Sequence, residues 1–200
     1  MSLFSDLGLN PQLVRACESQ GYTIPTDIQS KAIPLMLKGH DVLGIAQTGT
    51  GKTAAYALPI LMQCKYAQGV NPRALILAPT RELVMQIHEV FMALSVNTDL
   101  RIIALYGGLG PKAQIDALNE GKDIIIATPG RFMELYLKEV IVVKEIKFLI
   151  LDEADKMMDM GFMPQIRKIL EDTLKTHEKD FLPFLEKLQK KVHFDAFCKE

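Results

Sequence analysis

The fold is decided by one stretch, Asp41-Val42-Leu43-Gly44-Ile45-Ala46-Gln47-Thr48-Gly49-Thr50-Gly51-Lys52-Thr53-Ala54-Ala55, in which an apolar run leads through a glycine-containing turn into a helical segment. Glycines let backbone N–H groups point inward around an anion, and a helix start adds partial positive charge at the same place. The stretch therefore predicts a phosphate-binding loop between a strand and a helix. The general pattern of such P-loops has glycine where this chain has Ala46. An ordinary tight turn is the alternative interpretation.

In the P-loop interpretation, Lys52 reaches the β and γ phosphates of a nucleotide and takes part in catalysis, while the Thr53 hydroxyl ligates Mg²⁺. This reading makes the whole turn a nucleotide-binding element. The residues predicted to surround the phosphates are Ala46, Gln47, Thr48, Gly49, Thr50, Gly51, Lys52 and Thr53.

A P-loop enzyme also requires an acidic residue at the end of another buried strand. Asp152 and Glu153 follow the apolar run 148–151 and meet this requirement. Asp152 is predicted to hold Mg²⁺, and Glu153 to polarise the water that attacks the γ phosphate. Taken alone, the pair also fits a helix N-cap followed by a first-turn acid.

Short apolar runs recur along the chain with helical segments between them. The runs are nearly continuous rather than alternating, which is typical of strands covered on both faces in a parallel sheet. Predicted strands span 41–46, 73–78, 101–106, 123–127 and 147–151. Predicted helices include 51–63, 81–94 and 111–119. The pattern predicts an α/β fold with a mostly parallel sheet and helices on both faces.

Composition limits the class of protein. The 200 residues are 48% hydrophobic, which is typical of one globular domain. With 23 basic and 24 acidic residues the formal net charge is −1, so a nucleic-acid contact has to be local. Cys17, Cys64 and Cys198 are far apart and odd in number, which favours a reducing, cytoplasmic location. The first residues show no basic segment followed by an apolar core, so no export signal is expected, and no apolar run approaches the roughly 20 residues that span a membrane.

The tetrapeptide Asp152-Glu153-Ala154-Asp155 resembles the motif that names the DEAD-box ATP-dependent RNA helicases, and the P-loop with Ala46 is similar to that family's form. The resemblance covers about residues 4–170. It implies a RecA-like domain that binds ATP with Mg²⁺ and one side of an RNA backbone, in an enzyme that hydrolyses ATP. The forms of 4–9 and 46–56 look like those of bacterial members.

The amino-terminal part resembles the element by which this family selects adenine, the Q motif. Phe4 and the segment 21–29 carry this likeness. On that resemblance Gln29 reads the adenine edge, because its amide offers a donor and an acceptor, and Tyr22 stacks on the base. Asp27 stands where the family usually has proline, and this difference leaves the assignment of Gln29 unchanged.

Three further segments, each following a predicted strand, resemble the family's RNA-contacting elements. Their hydroxyls, helix-start N–H groups and arginines suit a ribose-phosphate backbone, which they position without reading base sequence. Each segment alone is also an ordinary turn or helix start. The residues predicted to bind RNA are Pro79, Thr80, Arg81, Glu82, Gly107, Gly108, Thr128, Pro129, Gly130 and Arg131.

The domain organisation is predicted as an ATP-binding domain over 1–170 and a divergent tail over 171–200, which has helical spacing. In the resembled family a Ser-Ala-Thr strand and a second domain with catalytic arginines would follow, and neither is expected in this chain. An arginine finger is worth on the order of 10³ to 10⁵ in rate, so the chain alone is expected to turn over weakly or not at all.

Two alternatives remain open at this stage. The first is another P-loop enzyme, such as a GTPase or small-molecule kinase, which would share Lys52, Thr53 and Asp152 and would prefer GTP if it were a GTPase. The second is a non-catalytic module that binds ATP and RNA without turnover. Gln29 argues against the first alternative, and the expected lack of a second domain supports the second.

Overall fold

The computed structural model describes residues 3–108 and 110–173. A short 3₁₀ helix spans Phe4–Leu7. The helices are α1 (Pro11–Ser19), α2 (Asp27–Leu37), α3 (Lys52–Cys64), α4 (Arg81–Leu94), α5 (Lys112–Asn119), α6 (Pro129–Leu137), α7 (Ala154–Asp159) and α8 (Met163–Thr173). The strands are β1 (Ala74–Leu77), β2 (Ile102–Leu105), β3 (Ile124–Ala127) and β4 (Phe148–Leu151).

The strands form one sheet in the order β2-β3-β1-β4, and every neighbouring pair is parallel. Leu77 pairs with Ala127 on one side and with Leu151 on the other, so the carboxyl ends of β1, β3 and β4 lie level with one another. The loops that follow these strands therefore lie together at the carboxyl end of the sheet, where open α/β sheets bind their ligands.

Side chains of successive strand residues point to opposite faces, and each face has its own core. Ile76 and Ile126 belong to a cluster that includes residues of α1 to α4, among them the fully buried Phe91. Leu75 and Ile125 belong to a second cluster, which includes residues of α5 to α8. The predicted α/β fold with helices on both faces of a parallel sheet is confirmed.

Four of the five predicted strands are present, but the predicted strand at 41–46 is wrong. This segment has no regular structure in the described chain, and Leu43 and Ile45 are 43% and 62% exposed. A strand exists only through hydrogen bonds to a neighbour. Among the described residues, β4 pairs with β1 alone, so its other edge is open, but the run 41–46 forms no ladder with it.

A buried carboxylate connects the amino ends of three strands, at the opposite end of the sheet. Asp123 is fully buried, with its Oδ1 2.8 Å from Arg73 Nη2 and its Oδ2 2.9 Å from Arg101 Nε. These residues immediately precede β3, β1 and β2. Burial raises the pKa of Asp123, but hydrogen bonds from the Arg101 side chain, the Gln68 and Arg101 amides and the Arg73 side chain hold it below its ordinary value. The ion pairs of Asp123 thus connect the amino ends of β1, β2 and β3, and the ligand-binding loops lie at the carboxyl ends.

The predicted domain boundary and tail lie at the carboxyl-terminal end of the described residues. Helix α8 runs to Thr173, and the predicted tail beyond that residue lies outside the described residues. The boundary at 170 and the helical tail therefore stay predictions. Across 3–108 and 110–173, no helix is both long and apolar enough to cross a membrane.

Candidate nucleotide and RNA site

The predicted P-loop leads directly into α3, whose first residue is Lys52. Gly51 is the N-cap residue, with φ +83°, and Gly49 has φ +81°, a backbone region that side chains other than glycine rarely adopt. Lys52 Nζ donates to the Ala46 carbonyl at 2.5 Å, and the Thr50 hydroxyl donates to the Gln47 carbonyl at 2.7 Å. Both bonds join residues within the loop. The Lys52 ammonium therefore lies against the loop backbone, next to the N–H groups of the first turn of α3.

The side chain of Gln29, a residue of α2, connects this helix to the loop through hydrogen bonds. Its Oε1 accepts from the Thr26 N–H at 2.9 Å, and its Nε2 donates to the Gly51 carbonyl at 3.1 Å. The Thr26 hydroxyl adds a bond to the Thr50 carbonyl at 2.8 Å. Gln29 is 4% exposed, and a Cβ on Gly51 would lie 2.4 Å from its Nε2. An amide has two donor hydrogens and two oxygen lone pairs, so Gln29 keeps capacity for a further ligand bond.

The two aromatic residues predicted near the adenine lie together. Phe4 and Tyr22 line one shallow depression, which is also bordered by Leu3, Ser5, Val14, Glu18 and Thr23. Phe4 is only 3% exposed and packs into the first core cluster, whereas Tyr22 is half-buried. Tyr22 is therefore the more accessible ring for stacking.

Asp152 lies immediately after β4 and is held from two sides. Its N–H donates to the Leu77 carbonyl at 2.9 Å, and its Oδ2 accepts from the Tyr56 hydroxyl at 2.8 Å. Burial raises the pKa of the Tyr56 phenol well above its ordinary value, as do the Asp152 charge and hydrogen bond, while a hydrogen bond with the Thr53 side chain lowers it. The phenol thus contacts the predicted metal ligand Asp152 from the helix that also carries Thr53, one turn before Tyr56. A hydroxyl and a carboxylate brought together in this way are oxygen ligands that fit Mg²⁺.

Glu153 adopts a left-handed backbone conformation, with φ 52° and ψ 48°. This region is uncommon for residues other than glycine, and it is found preferentially at functional sites. The carboxylate pairs with Lys156 one turn later, at 2.8 Å, and this hydrogen bond raises the pKa of Lys156.

The first two predicted RNA-contacting segments meet at the carboxyl edge of the sheet. Thr80 caps α4 by accepting from the Leu83 N–H at 3.2 Å, and Arg81 follows it on the exposed surface. The Arg81 guanidinium lies 4.7 Å from the centre of the Tyr106 ring, which directly precedes the exposed glycines Gly107 and Gly108. The contact joins the two segments into one surface.

The third segment joins this surface through Gln114. Gln114 Nε2 donates to the Tyr106 carbonyl at 3.2 Å, and Arg131 Nη1 donates to Gln114 Oε1 at 3.3 Å. Arg131 is 8% exposed, and its Nε is 3.1 Å from Glu134. Its guanidinium is therefore engaged in holding α6 in place, while Thr128 and Gly130 are more accessible to a ligand.

Sequence reasoning gave no role to Tyr56, Tyr106 or Gln114. Tyr56 follows Thr53 by one helical turn, a spacing that places both residues on one face of α3. This spacing is the sequence feature that could have pointed to Tyr56. Tyr106 adjoins a predicted segment, whereas the position of Gln114 depends on the packing of α5 and carries no sequence signal.

A P-loop at a helix start, an acidic strand end and a glutamine bound to the loop define this as a nucleotide-binding α/β protein. A family model described as DEAD/DEAH box helicase matches residues 26–185. The chain belongs to the DEAD/DEAH box helicase family.

Individual relatives agree with this assignment. The chain is 45% identical over 174 residues to the ATP-dependent RNA helicase DBP2 of Encephalitozoon cuniculi, covering 85% of this chain and 35% of that protein. It is 44% identical over 191 residues to the ATP-dependent rRNA helicase RRP3 of Saccharomyces cerevisiae, covering 94% and 38% respectively. The chain thus spans little more than a third of these curated relatives.

A solved structure supports the fold. The crystal structure of a hypothetical ATP-dependent RNA helicase from Sulfolobus tokodaii has a TM-score of 0.76 and 40% identity to this chain. The match covers 82% of this chain and 47% of that one. The RecA-like assignment is confirmed, and the likeness to bacterial members stays a prediction.

Proposed function

We propose that this chain is the ATP-binding part of a DEAD-box RNA helicase, which binds ATP with Mg²⁺ and one side of an RNA backbone. The observation that carries the proposal is the bond from Gln29 to the Gly51 carbonyl, because it joins the adenine-selecting element to the phosphate loop. A GTPase has no need of an adenine-selecting element. The proposal includes a cytoplasmic location, which the buried free thiols of Cys17 and Cys64 support.

The chain's own residues suit ATP binding. Lys52 is proposed to leave the Ala46 carbonyl and bond to the β and γ phosphates, whose charge the first turn of α3 also favours. Thr53 and Asp152 would hold Mg²⁺, which neutralises charge that develops on the phosphate oxygens. Glu153 would accept a hydrogen bond from the attacking water, since its carboxylate follows directly on the metal-holding residue.

The surface formed by Arg81, Tyr106, Gly107 and Thr128 suits an RNA backbone. Arg81 is exposed yet oriented by the Tyr106 ring, so less side-chain freedom is lost when it pairs with a phosphate. The glycines leave room for close approach, and the start of α6 offers N–H groups to a second phosphate. These contacts would position a strand without selecting its sequence.

Binding without turnover is a second candidate for the chain by itself. Lys52 is engaged with the Ala46 carbonyl at 2.5 Å, and Glu153 with Lys156 at 2.8 Å. Both catalytic residues therefore have to exchange partners before ATP can react. Bound phosphates can replace the Ala46 carbonyl at Lys52, but turnover would also need a charge-stabilising arginine, which a further part of a helicase would supply.

The test is competition between ATP and GTP for a fluorescent ATP analogue, with and without Mg²⁺. ATP is expected to compete at least about tenfold better than GTP, because the donor and acceptor of the Gln29 amide pair with N7 and the N6 amino group of adenine, whereas guanine presents two acceptors at that edge. Lys52→Ala is expected to abolish binding, while Lys144→Ala, an exposed lysine away from the loop, is the control. Equal competition by GTP would overturn the adenine assignment.

Turnover is measured separately as phosphate release from ATP with and without single-stranded RNA. ATP binding without release supports the non-catalytic candidate. Release that RNA stimulates and that Glu153→Gln abolishes supports a working ATPase.

A further inference from the structure

We propose that Tyr56 is a positioning residue for the metal site, whose phenol fixes the orientation of the Asp152 carboxylate. The inference rests on the proposed ATP and Mg²⁺ function and extends it to a residue outside the P-loop and the acidic motif. Its basis is the hydrogen bond of 2.8 Å from the Tyr56 hydroxyl to Asp152 Oδ2.

Both ends of this bond are rigidly held. Tyr56 is 8% exposed, lies within α3 and packs its ring near that of Phe91, with centroids 6.2 Å apart. Asp152 is also 8% exposed, and its N–H is bound to the Leu77 carbonyl at the end of β1. The phenol therefore connects the helix that begins at the phosphate loop with the strand that presents the carboxylate.

The bond has a chemical consequence for metal binding. A donor on Oδ2 fixes the rotation of the carboxylate and leaves Oδ1 as the oxygen free to face a cation or its bound water. Tyr56 also lies one turn beyond Thr53, a spacing that places both residues on one face of α3. The bond from Tyr56 therefore connects the Asp152 carboxylate to the helix face that carries the Thr53 hydroxyl, the other proposed ligand of Mg²⁺.

The test is Tyr56→Phe, which removes the hydroxyl and keeps the ring against Phe91. Binding of a fluorescent ATP analogue is measured while Mg²⁺ is titrated, and again in the presence of a chelator. Loss of groups that orient metal ligands typically weakens metal binding 10- to 100-fold. The Mg²⁺ concentration at half-maximal effect is expected to rise about 10-fold, while affinity for the metal-free nucleotide stays unchanged.

The chain offers a matched control in Tyr136, whose hydroxyl donates to Asp172 Oδ2 at the same 2.8 Å distance, in the contact between α6 and α8. Tyr136→Phe is expected to leave the Mg²⁺ titration unaltered. Thermal unfolding of both variants verifies that they are folded, and direct Mn²⁺ binding in the presence of ATP, followed by electron paramagnetic resonance, provides a readout that does not depend on the fluorophore.

The outcomes separate the two proposals. Wild-type protein whose ATP binding does not respond to Mg²⁺ contradicts the proposed metal site and this inference together. Wild-type protein that does respond, with a folded Tyr56→Phe variant of unchanged Mg²⁺ midpoint, overturns the role of Tyr56 alone. A fall in metal-free affinity equal to the fall with Mg²⁺ would also overturn it, because it would indicate a general structural effect.

Discussion

Replacing Gln29 by glutamate isolates the bond between α2 and the phosphate loop. The change keeps the oxygen that accepts from the Thr26 N–H, so the helix start remains capped. It replaces the Nε2 donor, 3.1 Å from the Gly51 carbonyl, by an oxygen that cannot donate when ionised. Two acceptors then face each other in a buried place, and a buried acceptor without a partner costs about 1–3 kcal/mol. We expect the free energy of unfolding at neutral pH to fall by that amount.

Denaturant unfolding measures this change, and Gln63→Glu is the matched control. Gln63 Nε2 also donates to a backbone carbonyl at 3.1 Å, that of Met36, but on the exposed surface. The control is expected to stay within about 0.5 kcal/mol of wild type. Protonation lets the new carboxyl at position 29 donate again, so its pKa is raised in the folded state. The variant should therefore recover stability as the pH falls.

Two results would refute this reasoning. If Gln29→Glu and Gln63→Glu lower the free energy of unfolding equally, the buried bond to the Gly51 carbonyl contributes no more than the exposed bond to the Met36 carbonyl. If the deficit of Gln29→Glu does not shrink as the pH falls towards 5, the new carboxyl does not face the Gly51 carbonyl.

Three further predictions concern other parts of the chain. Asp123→Asn should lower the free energy of unfolding by about 3–5 kcal/mol in denaturant titrations, because it breaks a buried double ion pair. The pKa of Asp123 is lowered in the folded state, so its contribution is present above its ordinary pKa of 3.8 and is lost as the pH falls through the lower folded-state value. The thiols of Cys17 and Cys64, whose pKa values burial raises to about 11, should resist alkylation at pH 8 in mass-spectrometric mapping until the protein unfolds. Gly51→Ala should weaken ATP-analogue binding by at least about tenfold in fluorescence titrations, since its Cβ would collide with the Gln29 amide at a positive φ.

Local signals predicted much of the fold. Helix α4 has the predicted bounds of Arg81–Leu94, because Thr80 caps it and its apolar residues recur with helical period. The strands β1 and β3 are continuous apolar runs, as expected for strands covered on both faces. Such features depend on neighbours in the sequence and can be read without the structure.

The sequence is less informative where a residue depends on distant partners. The run 41–46 has strand composition, but a strand exists only when it pairs with a neighbour, and this run pairs with no strand of the described chain. Arg131 was expected to contribute charge to RNA, and packing instead buries it against Glu134 and Gln114, so its predicted contact stays a prediction. The bond from Tyr56 to Asp152 joins residues 96 positions apart, which no local pattern encodes.

One site is proposed to hold the nucleotide between the adenine-selecting element, the P-loop and Asp152. A crystal structure of the chain with Mg²⁺ and a non-hydrolysable ATP analogue tests it most directly. We predict the adenine edge at Gln29 beside Tyr22, the β and γ phosphates at Lys52, and the metal between Thr53 and Asp152. A nucleotide bound elsewhere, or bound with its base away from Gln29, would contradict the account.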